Sequence, residues 1–268
     1  MPDVYVTITE ADLAVVERLV DILELRAQDP QQREMRELYF SDIEFPSDAR
    51  VAEVGCGPGP VARALASRSG VGEVVGVDPS PIFIEKGREL ARDLPNLTFV
   101  EGDARALPFE SNSFDVVVFH TALCHIPGPE LALTEASRVL CSDGLLAVFD
   151  GDYATTTFAC GDFDPLQACA EACVEYLVHD RWLVRRLPKL VRAAGFELRR
   201  FRSHSYMEAP STGGYMLALV DRGADALLAN GRVTPETADA LKAEARRRSD
   251  AGEFFGQIAY ASLIAQKH

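Results

Sequence analysis

The stretch Arg50-Val51-Ala52-Glu53-Val54-Gly55-Cys56-Gly57-Pro58-Gly59 joins an apolar run that carries one carboxylate to three glycines at alternate positions. Glycine adopts positive φ angles without strain, and it has no Cβ to keep a ligand away from the backbone. The pattern therefore predicts a buried strand, a tight turn and a helix whose first amide groups face a bound molecule. The plainest alternative is a tight glycine turn that binds nothing.

Two kinds of cofactor are bound at a glycine-rich first turn of this type. The dinucleotide fingerprint requires G-x-G-x-x-G or G-x-G-x-x-A, and Gly57-Pro58-Gly59-Pro60-Val61-Ala62 satisfies the second form. That match places two prolines in the phosphate-binding turn, where each removes an amide hydrogen that should face the pyrophosphate. NAD is therefore the weaker alternative, and the choice of S-adenosylmethionine depends on the motifs that follow.

Near-continuous apolar runs recur along the chain, with helical patterns between them. The runs typical of strands buried on both faces cover 51–54, 74–77, 114–119 and 145–149. Helices are predicted over 60–69, 82–94 and 129–140. Shorter strands are predicted near 98–101, 197–204 and 258–264, which brings the total to seven. The alternation predicts an α/β fold built from βαβ units around a mostly parallel sheet.

Helical additions frame this predicted core. Thr9 and Asp12 resemble a capping box ahead of the first helix, and a segment that opens at Gly213 and breaks at Gly231 is predicted to be a lid. We expect residues 1–268 to form a single domain. Its predicted parts are an N-terminal helical cap (1–47), a cofactor-binding core (48–150), the second half of the core with a helical insertion (151–212), a helical lid (213–250) and the last strand (251–268).

Composition limits the class of protein. A chain of 268 residues with 47% hydrophobic residues can bury one large core. The formal net charge of −14 disfavours a nucleic-acid partner, because binding a phosphate backbone relies on clustered Lys and Arg. With no secretion signal or membrane span in the sequence, we expect a cytoplasmic protein, monomeric or homodimeric, that acts on a small molecule. The six cysteines lack ligand spacing, so no metal site is predicted.

Two acidic motifs follow the glycine-rich turn. Val74-Val75-Gly76-Val77-Asp78 ends a strand, where an acidic residue can accept both ribose hydroxyls of either candidate cofactor. Glu101-Gly102-Asp103-Ala104 then precedes the apolar run 114–118. Together with Glu53-x-Gly55-x-Gly57-x-Gly59, these segments resemble class I S-adenosylmethionine-dependent methyltransferases, most closely the quinone-biosynthesis-like (methyltransferase type 11) small-molecule group. The resemblance covers roughly residues 48–150.

The resemblance implies a Rossmann-like sheet of seven strands, mostly parallel, with an antiparallel last strand and helices on both faces. It implies that Glu53 and Gly55 hold the methionine end, that Asp78 holds the ribose, and that Asp103 with Ala104 holds the adenine. Glu53 replaces the Asp that is commoner in this group, which keeps the charge and extends its reach by one methylene. The full cofactor-binding set is Glu53, Gly55, Gly57, Gly59, Asp78, Pro79, Ile82, Asp103, Ala104 and His120.

Two histidines follow the fourth predicted strand, at the sheet edge where α/β proteins bind their ligands. His120 and His125 are candidate catalytic bases that could deprotonate a hydroxyl or an acidic carbon. The alternative is that each shapes the pocket or bonds to backbone. The candidate substrate-pocket residues are Asp150, Tyr153, His204, Tyr206 and Tyr215. For these the alternatives are capping of the loop after the fifth strand, or an apolar seam beneath the lid.

These features predict S-adenosylmethionine-dependent methyl transfer to a small, partly apolar metabolite. Oxygen and carbon acceptors are favoured over nitrogen, and the Ala and Arg bias with the helical insertions suits specialised metabolism. The main alternative is an S-adenosylmethionine-binding protein on the same fold that does not methylate, such as a cyclase or a regulatory module. An NAD-dependent oxidoreductase is a remote third possibility, because Asp103 fits the methyltransferase motif better.

Overall fold

A seven-stranded sheet organises the part of the chain that the structure describes. The structure is a computed structural model that describes residues 3–208 and 214–268. Its strands are β1 (Ala49–Val54), β2 (Val71–Asp78), β3 (Leu97–Glu101), β4 (Phe114–His120), β5 (Leu140–Thr157), β6 (Phe196–Glu208) and β7 (Gly256–Lys267). Their order is β3-β2-β1-β4-β5-β7-β6, and β7 is antiparallel to both of its neighbours. The α/β Rossmann-like prediction is therefore confirmed.

Alternate residues of the central strands face two separate hydrophobic clusters. In β1, Val51 packs with one cluster, whereas Ala52 and Val54 pack with the other. The same alternation occurs in β4, where Val116 and Val117 belong to different clusters. Because successive side chains of a strand point to opposite faces, both faces of the sheet are covered. This double burial explains why the strands are near-continuous apolar runs.

Nine α-helices and two short 3-10 helices cover the sheet within the described residues. The α-helices are α1 (Leu13–Gln28), α2 (Pro30–Phe40), α3 (Pro60–Ala66), α4 (Pro81–Leu90), α5 (Pro129–Val139), α6 (Gln167–Tyr176), α7 (Leu183–Ala193), α8 (Tyr215–Ala229) and α9 (Pro235–Asp250). The 3-10 helices are Ile8–Glu10 and Leu123–His125. Five of the nine α-helices begin with proline, whose fixed φ and missing amide hydrogen suit the first helical position.

Two local predictions differ from the structure. The proposed capping box is wrong, because Thr9 lies in the 3-10 helix and the side chain of Asp12 makes no capping hydrogen bond to α1. Strand β5 also continues well beyond the predicted range 145–149. Its polar second half pairs with β7, for example Asp150 with Ala261. Backbone pairing extends this strand where the apolar pattern has ended.

Helices α8 and α9 lie between β6 and β7 in sequence, within the predicted lid segment. They are separated at Gly231, which has a φ of 65°, and Thr234 caps α9. Residue Gly213, at which the lid was predicted to open, lies outside the described residues. Helix α8 approaches α6 so closely that a Cβ on Gly223 would lie 2.3 Å from the Cys169 carbonyl oxygen. This glycine therefore sets the distance between the two helices.

Gly223→Ala should destabilise the protein by a net ~1–2 kcal/mol, because overpacking against backbone outweighs the helix propensity that alanine gains. Thermal unfolding monitored by circular dichroism would measure the loss. Gly161→Ala is the matched control, since nothing lies within 4 Å of a Cβ built there. Equal melting temperatures for the two variants would contradict the close-contact interpretation.

Candidate active site

The carboxyl ends of β1, β2 and β4 open into a cavity of about 310 Å³. Strand order reverses between β1 and β4, and open α/β sheets bind ligands at such a point. The other walls come from residues 5–9, from α1 and α2, from α6 and α8, and from β5 and β7. The cavity thus lies between the predicted cofactor motifs and the added helices.

The three glycines of the first turn serve different purposes. All have positive φ angles, at 74° for Gly55, 54° for Gly57 and 78° for Gly59. A Cβ on Gly55 would lie 2.5 Å from the Cβ of Ala122, so this glycine lets the turn meet the exit of β4. Gly55 and Gly57 line the cavity, but Gly59 does not. A Cβ on Gly59 would lie 2.4 Å from the Phe99 ring, so it is required for packing behind the turn.

Three buried polar side chains beside this turn are incompletely bonded. Glu53 is 2% exposed, and burial raises the pKa of its carboxyl well above the usual range. Its Oε2, the Nε of Arg36 and the Oε1 of Gln32 have no hydrogen-bond partner within the described residues, and all three residues line the cavity. Buried groups of this kind are normally satisfied. Acidic, basic and amide groups together complement a molecule with both an ammonium and a carboxylate, as at the amino-acid end of S-adenosylmethionine.

Asp78 fastens the turn to the end of β2. Its Oδ2 accepts from the Gly57 amide at 2.8 Å, and its Oδ1 accepts from the Ser80 amide at 2.9 Å. Burial raises the pKa of Asp78 to about 6, against the opposing effect of these two hydrogen bonds. Each carboxylate oxygen keeps a second acceptor position. Asp78 and the adjacent Pro79 both line the cavity, so Asp78 can also accept hydroxyl groups there.

Of the residues predicted to contact the adenine, two line the cavity and one packs in the protein interior. Asp103 and Ala104 line the cavity, and Arg105 bonds the Asp103 carboxylate at 2.6 Å. That hydrogen bond holds the pKa of Asp103 below its usual range. Ile82 does not line the cavity but packs with the cluster around α1, and the next residue, Phe83, occupies the lining position. Helix α4 starts at Pro81, so the side chains of Ile82 and Phe83 point in directions that differ by one helical step of about 100°.

His120 is held in a neutral state with both ring nitrogens bonded. Its Nε2 lies 3.1 Å from Nη2 of Arg26, and its Nδ1 lies 2.9 Å from the Tyr39 hydroxyl. Because a guanidinium can only donate, Nε2 accepts and Nδ1 carries the hydrogen. Burial, together with Arg26 and Arg36, lowers the pKa of His120 well below its usual range. The residue lines the cavity, but this geometry does not support its prediction as a base.

His125, unlike His120, is bonded through one ring nitrogen to a carboxylate. Its Nδ1 lies 2.5 Å from Oδ2 of Asp3, whose side chain is 2% exposed. The Asp3 carboxylate also accepts from the amides of Tyr5 at 3.1 Å and His179 at 3.0 Å. His125 lines the cavity, and its Nε2 has no hydrogen-bond partner in the described parts of the chain. A carboxylate therefore orients an imidazole whose second nitrogen remains available to a ligand.

Of the predicted substrate-pocket residues, Tyr153 and Tyr215 line the cavity. The structure places the other three elsewhere. Asp150 is fully buried and accepts from the Cys124 amide at 3.2 Å, so it supports the turn that carries His125. His204 bonds Ser262 at 2.8 Å between β6 and β7. Tyr206 donates to Asp29 at 2.8 Å, which joins β6 to the start of α2. Each bonds within the protein because its strand position turns it away from the cavity.

Several residues of the site were not predicted from the sequence. Asp3 and Tyr5 belong to no motif, so nothing local marked them. Arg26 carried a usable signal, because it falls on the apolar stripe of α1, three residues after Leu23 and seven after Leu19. A charged residue on a buried helical face indicates a functional environment more often than an exposed one.

Residues 52–148 match the family described as a methyltransferase domain. This stretch of the chain is similar to methyltransferase domains, which is consistent with the S-adenosylmethionine predicted from the sequence. The three incompletely bonded side chains beside the glycine turn fit its amino-acid end.

Curated relatives resemble this chain over part of their length. A demethylmenaquinone methyltransferase of Staphylococcus aureus is 34% identical over 126 residues, which cover 47% of this chain and 52% of that protein. An uncharacterised 37.1 kDa protein from a transposon of Streptomyces fradiae is 33% identical over 154 residues, which cover 56% of this chain and 45% of that protein. The chain spans about half the length of these relatives.

Solved structures share the fold of this chain. A Bacillus halodurans protein described as a methyltransferase superposes with a TM-score of 0.63 at 22% identity, covering 87% of this chain and 98% of that one. The cyclase SpnF superposes with a TM-score of 0.56 at 22% identity, covering 88% and 80%. At these identities the likeness concerns the fold alone.

The described residues include neither a membrane-spanning helix nor a cluster of metal ligands. Between residues 3 and 208 and from 214 onward, no helix has the length and apolar character needed to cross a bilayer. Across those same ranges, no three His, Cys, Asp or Glu side chains come together as metal ligands.

Asp78→Asn should weaken binding of S-adenosylhomocysteine at least tenfold at about pH 7.5, because it removes the charge from hydrogen bonds worth ~1.5–3 kcal/mol. The wild-type carboxyl takes up a proton below about pH 6, so its affinity should fall as the pH drops from about 7.5 to about 5.5. The variant should lose that pH-dependent step. Titration calorimetry measures both effects.

Asp93→Asn, at an exposed position, is the matched control for loss of one carboxylate. Thermal unfolding shows whether the Asp78 variant is folded. A folded Asp78→Asn protein with wild-type affinity at both pH values would contradict a cofactor contact at this residue.

Proposed function

We propose that the enzyme methylates an oxygen or an acidic carbon of a small, partly apolar acceptor, with His125 as the general base and Asp3 as its positioning residue. The pairing of the cavity-lining His125 with the buried Asp3 is the observation that carries this proposal. Proton removal is useful for hydroxyl and carbon acceptors, which are weak nucleophiles while protonated. A neutral amine would not need an imidazole held in this orientation.

The cofactor end of the cavity is assigned to groups that bind and orient. Glu53 would hold the ammonium, Arg36 the carboxylate, and Asp78 the ribose hydroxyls. When bound, S-adenosylmethionine supplies the electrophilic sulfonium methyl group. Orientation of the two reactants can contribute ~7–11 kcal/mol to such a displacement, so these side chains account for the larger part of the acceleration.

The general base contributes the smaller part of the rate acceleration. His125 keeps Nδ1–H bonded to Asp3 and accepts the acceptor's proton at Nε2. Asp3 fixes the ring in this tautomer and stabilises the imidazolium that results, as a buried carboxylate beside a catalytic histidine does. General-base catalysis of this kind contributes about 10²–10⁴-fold, or ~3–5 kcal/mol.

Residues 3–9 both complete and cover the site. Asp3 reaches His125 from this segment, while Tyr5 packs its ring 4.5 Å from the His125 imidazole. Ile8 is buried and lines the cavity. The segment that supplies the orienting carboxylate therefore also excludes water from the reacting atoms, which strengthens charge interactions inside the site.

Aromatic and aliphatic side chains define the kind of acceptor. Tyr5, Tyr153, Tyr215, Leu219 and Ile258 line the end of the cavity away from the glycine turn. Such walls suit an acceptor with a ring or a short hydrocarbon skeleton. A role in specialised metabolism, a cytoplasmic location and a monomeric or homodimeric state remain predictions from the sequence.

His125→Ala should lower kcat by about 10²–10⁴-fold, and Asp3→Asn should lower it at least tenfold, because Asn cannot stabilise an imidazolium. The measurement uses S-adenosylmethionine with a labelled methyl group and a metabolite extract of the source organism, followed by the purified acceptor. Affinity for S-adenosylhomocysteine should stay within threefold of the wild-type value. The loss should shrink at a pH at which the acceptor is already ionised.

His204→Asn is the control, because His204 lies outside the cavity. A folded His125→Ala enzyme with kcat within tenfold of wild type would show that His125 only shapes the pocket. Cofactor binding without label transfer to any metabolite would favour the alternative, a cofactor-retaining protein that does not methylate.

A further inference from the structure

Two arginines line the cavity, and within the described residues neither forms an ion pair with a carboxylate. Arg26, near the end of α1, is 8% exposed. It donates to the Thr121 hydroxyl at 2.8 Å and to His120 at 3.1 Å, and both partners are neutral. The rings of Tyr215 and Tyr260 lie 6.0 and 5.8 Å from its guanidinium carbon. No Asp or Glu forms an ion pair with Arg26 in the part of the chain that is described.

Arg222 reaches the same region from α8. It is half-buried and lines the cavity, and it has no hydrogen bond or ion pair within residues 3–208 and 214–268. Burial raises the pKa of Tyr5, and the charges of Arg222 and Arg26 partly oppose that rise. All three residues line the cavity.

Leaving these two cations unpaired is unusual for this chain. Acidic residues outnumber basic ones by 41 to 27, so carboxylates are plentiful. Other partly or largely buried arginines are paired with them, as Arg63 is with Glu24 at 2.7 Å and Arg248 with Asp164 at 2.6 Å. Arg26 is buried and Arg222 is half-buried, and the buried Asp150 carboxylate, which favours the charge on Arg26, forms no ion pair with it. Charges in such places are costly when no counter-charge is in contact, so two of them in one cavity wall indicate that an anion completes the site.

The cofactor already has partners for its own carboxylate. Arg36, with its unbonded Nε, lies on α2 near Glu53 at the glycine turn. Arg222 instead lies one helical turn after Leu219, among the apolar residues of the acceptor end. The anion that Arg26 and Arg222 would bind is therefore assigned to the acceptor.

We propose that Arg26 and Arg222 form an oxyanion subsite that binds a carboxylate or phosphate group of the acceptor, separate from the atom that is methylated. This inference rests on the proposed methyltransferase function. The planar fork of a guanidinium matches both kinds of oxyanion, and the Tyr5 hydroxyl can donate a further hydrogen bond. The acceptor is accordingly an acid or a phosphate ester on a partly apolar skeleton.

Matched probe pairs test the subsite without knowledge of the acceptor. Calorimetry on protein loaded with S-adenosylhomocysteine compares 4-hydroxybenzoate with its methyl ester, and phenyl phosphate with phenol. At least one anionic probe should bind tenfold or more tightly than its neutral partner. Which pair shows the larger preference distinguishes a carboxylate site from a phosphate site. Equal affinity in both pairs, or no binding of any probe, would overturn the proposal.

Arg222→Gln and Arg26→Gln should each reduce the preference for the anionic probe at least tenfold. Arg18→Gln, an exposed position on α1, is the control for loss of one positive charge and should leave the preference unchanged. Affinity for S-adenosylhomocysteine should remain within threefold of wild type in all three variants. A tenfold loss of that affinity in both cavity variants would assign the arginines to cofactor binding and refute the proposed oxyanion subsite. Since Arg26 also bonds Thr121, the Arg222 variant keeps the test decisive if Arg26→Gln does not fold.

Failure of the subsite can be told from failure of the proposed function. Label transfer to an acceptor that has no acidic group would refute the oxyanion subsite while methyl transfer stands. A persistent preference for anionic probes without any label transfer would refute methyl transfer, and the subsite would stand as a binding site.

Discussion

The hydrogen bonds of the Asp78 carboxylate hold together the edge on which the site is built. One oxygen accepts from Gly57 in the first turn, and the other accepts from Ser80 at the start of α4. The ends of β1 and β2 are thereby fixed relative to each other, which sets the direction of the glycine turn. The cost is a buried carboxyl whose pKa rises to about 6. A group placed against this turn therefore meets backbone that is already ordered.

The cavity combines two kinds of wall with different structural origins. Its cofactor end comes from loops at the carboxyl ends of adjacent parallel strands, whose spacing the sheet dictates. The rest of its wall comes from residues 5–9, α1, α6 and α8, which are additions to the sheet, and from Tyr153 on β5 and Ile258 on β7. The family match over 52–148 includes the loops at the strand ends and His125, but none of these additions. Under the proposed function, the choice of acceptor therefore depends largely on parts of the chain outside the matched residues.

Short-range patterns predicted the sheet and much of the cofactor end, because strand, turn and helix are consecutive there. Gly55, Gly57 and Asp78 belong to such runs, and all three line the cavity. The direction in which a side chain points was harder to predict. The sequence placed His204 near a strand end, but the side of the sheet that it faces depends on the pairing of β6 with β7. The Asp3 contact with His125 spans 122 residues and leaves no periodic signal.

Strand β7 follows every other strand in sequence yet lies between β5 and β6. On a ribosome, β1 to β4 can pair as soon as they emerge, whereas β6 has no neighbour until Gly256–Lys267 has been synthesised. Strands β1 to β4 can therefore fold early, whereas β6 requires non-local pairing with β7, which is slow. During that interval β6 is an unprotected edge. Its arginines at positions 199, 200 and 202 place repelling charges where nascent chains would otherwise associate.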